Sequence, residues 1–425
     1  MPTKWIEAED VPGLLRPGMT VFVAGATAEP SAAIAALAAA PEASRGVRYV
    51  GVSVPGVNNT DFSSFHEEAA VTAFFSTPAT RAAVAAGRID FLPMQYRVIY
   101  DYLANEIPID LVLAQLPPAD ADGRISQGIS VDFLPAVVDK AGIVVGEFNR
   151  RQPWVKGAPA LDPARIDYAF NSDEPLPALP VPKLGEAAAK IGASVAELVR
   201  DGDCIQIGIG AIPEAAMAAM GAKNDLGLHS GMVSDGLTKL IDSGAMNGSR
   251  KTIDRGMHVC GGSVGSTALH DWAGRAENLL FRPVTHTHDV TVIAQIDNFF
   301  SINSALEIDL YGQLNADMLG HEQLSGTGGS VDFMRGAALS KGGKSIVALQ
   351  ATAARGTISR IVPTLKPETA ATALRTDIDY VVTEYGARRL KSLSVEDRAR
   401  ALIDLAAPAF RDELRDARVA LRRQR

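Results

Sequence analysis

The residues best suited to covalent chemistry lie at 301–312, read Ser-Ile-Asn-Ser-Ala-Leu-Glu-Ile-Asp-Leu-Tyr-Gly. Apolar and polar positions alternate there at a period of two, the pattern of a half-buried strand. Leu306, Ile308 and Leu310 would face one way, and Ala305, Glu307, Asp309 and Tyr311 the other. A carboxylate held on a rigid strand can act as a nucleophile. The same pattern also describes an ordinary strand with a wet acidic side, so Glu307 gains meaning only from its partners.

Two glycine-rich segments are candidate partners. Residues 208–213, Gly-Ile-Gly-Ala-Ile-Pro, follow a strand-like run and open a helix. Glycines let backbone approach a ligand, Pro213 suits a first helical turn, and a helix N-terminus offers unpaired N–H groups to an anion. A dinucleotide fingerprint would need glycine where Pro213 stands, which counts against a nicotinamide cofactor. A structural tight turn is the plain alternative. Residues 325–333, Ser-Gly-Thr-Gly-Gly-Ser-Val-Asp-Phe, can gather N–H groups in a concavity around Gly328 and Gly329, or form a flexible surface loop. Acyl transfer needs such donors, because charge develops on the carbonyl oxygen; losing one costs about 3–4 kcal/mol of barrier lowering. His286-Thr-His-Asp289 sets two imidazoles at strand spacing beside a carboxylate, but no further His or Cys cluster lies nearby in sequence. No metal is expected. A serine nucleophile elbow with a histidine partner is also missing.

The elements that must position these groups follow from composition and pattern. The chain has 425 residues, 47% hydrophobic and 6% aromatic, so its cores are aliphatic and long enough for two or three domains. A net charge of −8 argues against non-specific nucleic-acid binding, though not against a polyanionic ligand held locally. Cys204 and Cys260 lie in strand-like runs and suggest no disulfide framework, which fits a reducing cytoplasm. No apolar signal region opens the sequence and no apolar run reaches membrane-spanning length, so a soluble cytoplasmic protein is expected.

Short apolar runs at 21–24, 205–208, 346–350 and 380–382 read as buried strands, and alanine-rich stretches at 30–40 and 213–220 as helices. The alternation predicts α/β architecture with open sheets. The proline-rich passage 175–182 reads as a linker and predicts domains at 1–185 and 186–425. Residues 15–25 and 199–208 echo each other, each followed by proline (Pro30, Pro213) and a helix, which suggests two similar domains. The charged stretch 411–425 reads as a solvated helix.

In order along the chain, Ser76-Thr-Pro-Ala-Thr-Arg81, the strand at 144–149 with Glu147, 208–213, Leu228-His-Ser-Gly-Met-Val-Ser-Asp-Gly236, 301–312, 326–333, Ile358-Ser-Arg-Ile-Val-Pro363 and Asp379-Tyr-Val-Val-Thr-Glu-Tyr-Gly386 resemble the acetyl-CoA hydrolase/transferase branch of the class I CoA-transferases, 4-hydroxybutyrate CoA-transferases included. The resemblance spans nearly the whole chain. It implies two similar open α/β domains with the active site between them, and ping-pong chemistry through a glutamyl-CoA thioester. Two positions in that family can carry the glutamate. The first is Gly231 here, which cannot act; the second is Glu307. The departure leaves the acyl group unnamed. By the same match, Gly208, Ile209, Gly210, Ala211 and Ile212 would line the coenzyme A site. Leu306 and Gly329 would flank the thioester through backbone N–H groups, Gly386 would belong to the oxyanion region, and Arg81 would bind a substrate carboxylate. Coenzyme A enters as substrate and product, with no permanently bound cofactor. Acyl-CoA and small carboxylates are the expected partners, in a homo-oligomer without nucleic acid or membrane. A thioester hydrolase and a non-catalytic CoA-binding protein are the rival readings.

Overall fold

Buried apolar runs become interior strands of parallel sheets, where both faces are covered and alternation disappears. The computed structural model, which describes residues 2–423, follows this rule: Thr20–Val23, Leu111–Leu116 and Cys204–Ile207 are buried along their whole length.

The first sheet has eight strands: β1 (Lys4–Trp5), β2 (Thr20–Val23), β3 (Arg48–Gly51), β4 (Ala70–Ala73), β5 (Ile89–Phe91), β6 (Leu111–Leu116), β7 (Ile143–Asn149) and β8 (Tyr168–Ser172). Their order is β1-β8-β7-β6-β2-β3-β4-β5, and every neighbouring pair is parallel. The second sheet has six strands: β9 (Cys204–Ile207), β10 (Gly227–Leu228), β11 (Phe299–Ser304), β14 (Lys344–Ala348), β16 (Tyr380–Thr383) and β17 (Gly386–Arg389). It runs β10-β9-β11-β14-β16-β17, parallel until the closing β16–β17 hairpin. The expected α/β class with two open sheets is what the chain adopts.

The two halves use one local device. β2 leads through Gly25 into helix α1 (Ser31–Ala39), and β9 leads through Gly210 into helix α3 (Ala211–Ala219). Helix α2 (Glu186–Leu198) packs on α3 so closely that a Cβ on Gly192 would lie 2.5 Å from the Ala215 carbonyl carbon. Glu147 on β7 is buried at the start of α1 and accepts the Ala32 and Ala33 N–H groups and the Ser172 hydroxyl. A carboxylate there meets the positive end of the helix, so this residue builds the fold.

Three local expectations are corrected. Residues 301–312 are not one strand. β11 runs at the centre of the second sheet, whereas β12 (Glu307–Asp309) pairs antiparallel with β13 (Leu314–Asn315) and parallel with β15 (Ile361–Val362). The chain changes sheets at Ala305 and Leu306. Asp309 is fully buried, not wet, because its own turn supplies donors: the N–H groups of Tyr311 (3.0 Å) and Gln313 (2.9 Å), and the Gln313 amide (2.9 Å). Secondly, His286 belongs to a short helical segment, Val284–Thr287, started by Pro283, and Asp289 caps the next through the Thr291 N–H. Thirdly, 330–333 is helical, the first turn of α4 (Ser330–Leu339).

The charged C-terminal stretch forms helix Arg411–Arg423, its last two residues lying outside the described residues. No described helix is long and apolar enough to cross a membrane.

Candidate active site

A cavity of about 300 Å³ lies between the two halves. The N-terminal half contributes Val54, Pro55, Phe75 and Tyr96; the other half contributes Gly208, Ile209, Gly231, His288, Gly328 and Gly329 among others. The glycine segments of residues 208–213 and 325–329 therefore meet in one wall. The second is no free surface loop. Gln95 and Gly328 form a β-bridge, the Tyr96 N–H donates to the Gly328 carbonyl at 3.2 Å, and the Thr327 hydroxyl donates to the Met94 carbonyl at 2.5 Å. Gly328 has φ +61°, a conformation other residues adopt at a cost. A Cβ on Gly329 would come within 2.3 Å of His288 Cδ2, so the loop is packed tight on that ring.

A second, more open cleft of about 350 Å³ adjoins the first, and Ile209 is in both walls. Gly210, Ala211, Ile212, Leu306 and Arg360 also face it. The N-terminus of α3, with its unpaired N–H groups, thus opens onto this cleft beside a guanidinium, a combination that suits anionic groups. Leu306 lines the cleft, but its N–H is engaged by the Asn315 carbonyl at 2.9 Å, so the expected backbone donor there is spent.

Glu307 follows Leu306 directly. It is half-buried, and its Oε1 accepts the Asn315 side-chain amide at 2.9 Å. Asn315 is itself fixed: its amide also donates to the Met318 carbonyl at 2.8 Å, and its Oδ1 accepts the Met318 N–H at 3.0 Å. Glu307 lies in neither cavity wall. Gly386, with φ +123°, closes the β16–β17 hairpin outside both. Arg81 opens the helix Arg81–Ala85 and donates to the Leu324 carbonyl at 3.3 Å, one residue before Ser325 of the cavity wall.

Sequence reasoning missed the aromatic and titratable part of the wall. His288 is sandwiched between Tyr96 (centroids 4.7 Å apart) and Phe333 (4.5 Å). Burial pushes its pKa down to about 3, so the ring is neutral. Behind Tyr96 and Val54 is a chamber of about 20 Å³, room for about one water, containing Asp132. That carboxyl is pushed up to about 7 by burial, and its Oδ1 has no hydrogen-bond partner. Only the His286–Asp289 motif pointed toward this region, and it was weighed there as the start of a metal site and set aside. Among the described residues, His229, Asp254 and His286 do bring ligand atoms within 4.8 Å of one another. His286 Nε2 sits 2.8 Å from Asp254, while burial first, and the nearby Lys251 ammonium second, push the His229 pKa down, and that ammonium also opposes a cation.

The family model for the acetyl-CoA hydrolase/transferase N-terminal domain matches residues 1–180, and that for the C-terminal domain matches 265–418. The chain is 40% identical to 4-hydroxybutyrate coenzyme A transferase of Clostridium kluyveri over 80% of each protein. It belongs to the acetyl-CoA hydrolase/transferase family. Another member, the succinyl-CoA:cyclohexane-1-carboxylate CoA transferase of Geobacter metallireducens, is 38% identical over 82% of this chain and 79% of its own. The crystal structure of RipA from Yersinia pestis superposes with a TM-score of 0.93 at 33% identity, covering 99% of this chain and 98% of that one. Membership places the chain among enzymes of acyl-CoA chemistry.

Proposed function

We propose that this protein is an acyl-CoA:carboxylate CoA-transferase with Glu307 as its covalent nucleophile. The observation that carries the reading is Gly231. This position, where relatives can hold a glutamate, lies in the main cavity wall and has no side chain, and among the described residues no carboxylate replaces it there. Glu307 is the nearest acidic residue in sequence to the cleft residues 304–306, and its carboxylate is pinned without being sealed from solvent.

In this scheme Glu307 attacks the thioester carbonyl, the C–S bond breaks, and a mixed anhydride and CoA thiolate form. The thiolate attacks the glutamyl carbonyl and expels the first acid as a carboxylate, leaving a glutamyl-CoA thioester. A second carboxylate reverses both steps. The α3 N-terminus and Arg360 would receive coenzyme A phosphates; Gly328 and Gly329 would face the reacting carbonyl. Transfer would require water to be kept from the thioester, which would otherwise be hydrolysed.

Incubation with acetyl-CoA followed by peptide mass spectrometry should find CoA on Glu307, and Glu307→Ala should abolish both adduct and transfer. A thioester on another residue, or a variant that still transfers, would overturn the assignment. Release of free CoA without an acceptor acid would identify a hydrolase.

A further inference from the structure

Two helices begin where the halves meet, and one carboxylate serves both starts. The helix Tyr96–Asp101 belongs to the N-terminal half and receives no side-chain cap from its own Gln95. Its first N–H groups have no partner within the helix. The other half takes them: the Tyr96 N–H donates to the Gly328 carbonyl at 3.2 Å, and the Arg97 N–H donates to Asp332 Oδ2 at 3.2 Å. Asp332 lies in the first turn of α4, three residues after Gly329. We infer that Asp332 is a positioning residue for CoA transfer: by capping a helix of the opposite half, it holds Gly328 and Gly329 in place toward the reacting carbonyl. The inference rests on the CoA-transfer reading and adds the residue that fixes its glycine loop.

A carboxylate is costly at this place. Asp332 is 4% exposed, and burial pushes its pKa up to about 7. The guanidinium groups that act on it from a distance pair with other acids, Arg97 with Asp101 and Asp289, and Arg335 with Asp377. The bond that Asp332 makes in return crosses between the halves. The loop ahead of it is seated on the same half. A Cβ on Gly326 would fall 2.1 Å from the Phe74 carbonyl oxygen, and the Ser76 N–H donates to the Ser325 carbonyl at 3.2 Å. Residues 325 and 332 are thus two ends of a span fastened to the N-terminal half, with Gly328 and Gly329 between them. Releasing the Asp332 end lets these glycines shift, and catalysis is sensitive to such small displacements. The cleft proposed for the coenzyme A phosphates lies elsewhere, so turnover suffers more than carrier binding.

The test uses acetyl-CoA as donor with the best acceptor among short-chain acids. Asp332→Ala should lower kcat about 10- to 100-fold, the worth of one hydrogen bond to a charged group, with KM for acetyl-CoA within about threefold of wild type. Asp332→Asn keeps an acceptor at the same place and should stay within about threefold of the wild-type kcat. Amide exchange read by mass spectrometry should show the peptide holding Arg97 exchanging faster in Asp332→Ala and unaltered in Asp332→Asn. Asp332→Ser, whose side chain is shorter, takes the place of alanine if that variant does not fold. A folded alanine or serine variant with kcat within about threefold of wild type, a loss confined to KM, or an asparagine variant as slow as alanine would overturn the inference and leave CoA transfer standing. Absence of transfer by the wild type to every acid would overturn the transfer reading and this inference with it.

Discussion

Asn315 decides where the Glu307 carboxylate points, and a loop of its own backbone contacts decides where Asn315 points. Replacing the amide by a carboxylate removes a donor and adds a like charge. Asn315→Asp should lower kcat about 10- to 100-fold, the worth of one hydrogen bond to a charged group. It should also move the acidic limb of the pH–rate profile upward, since a neighbouring carboxylate favours protonation. A variant with reduced kcat and an unmoved acidic limb would show that Asn315 only supports the fold. At this scale the sequence was partly legible. Alternation and family resemblance singled out Glu307, but the burial of Asp309 depends on three donors from a turn that alternation does not describe. His288 stood out only as part of the His286–Asp289 motif, whose spacing does not foretell its place against Tyr96 and Phe333, and Asp132 reaches the small chamber by tertiary packing that nothing local marks.

The α2–α3 contact sets the height of the α3 N-terminus over its cleft. Gly192 permits it, since a side chain there meets backbone that cannot rotate away. Gly192→Ala should destabilise the protein by about 1–3 kcal/mol, the usual cost of overpacking, as measured by urea unfolding. It should also weaken coenzyme A binding in calorimetry, because Gly210, Ala211 and Ile212 move with the helix. Lost stability with unaltered affinity would confine the effect to the core. Elements read well where burial is two-sided, as at β2, β6 and β9, because a continuous apolar run has few other uses. They read poorly where the chain changes sheets. β11 and β12 keep one alternating rhythm across a break that only their different partners, β14 and β15, reveal.

Across the whole molecule, buried ionisable groups pull stability in opposite directions with pH. Asp132 has an ordinary value of 3.8, raised to about 7 by burial. The folded state therefore keeps a proton that the unfolded state releases, and the associated stability, complete below about pH 4, is lost as pH rises through 7. His229 and His288 are pushed from 6.5 to about 3 by burial, so their contribution is lost as pH falls below the ordinary value. Asp132→Asn should flatten the decline of the thermal midpoint between about pH 5 and 8. Equal slopes in variant and wild type would remove Asp132 from that balance. Two open sheets were legible from the rhythm of strands and helices. The cavity between them was legible only as an implication of family, because its walls come from segments more than a hundred residues apart.

The Gln95–Gly328 bridge joins the halves through main chain, with Tyr96 N–H and the Gly328 carbonyl as its partners. Donor and acceptor of this bond are backbone groups, so the bond itself does not depend on the side chains of Gln95 and Tyr96. The pairing therefore survives a change of side chain at position 95 or 96, and the alignment of the two cavity walls is tied to the chain's path and not to its composition there.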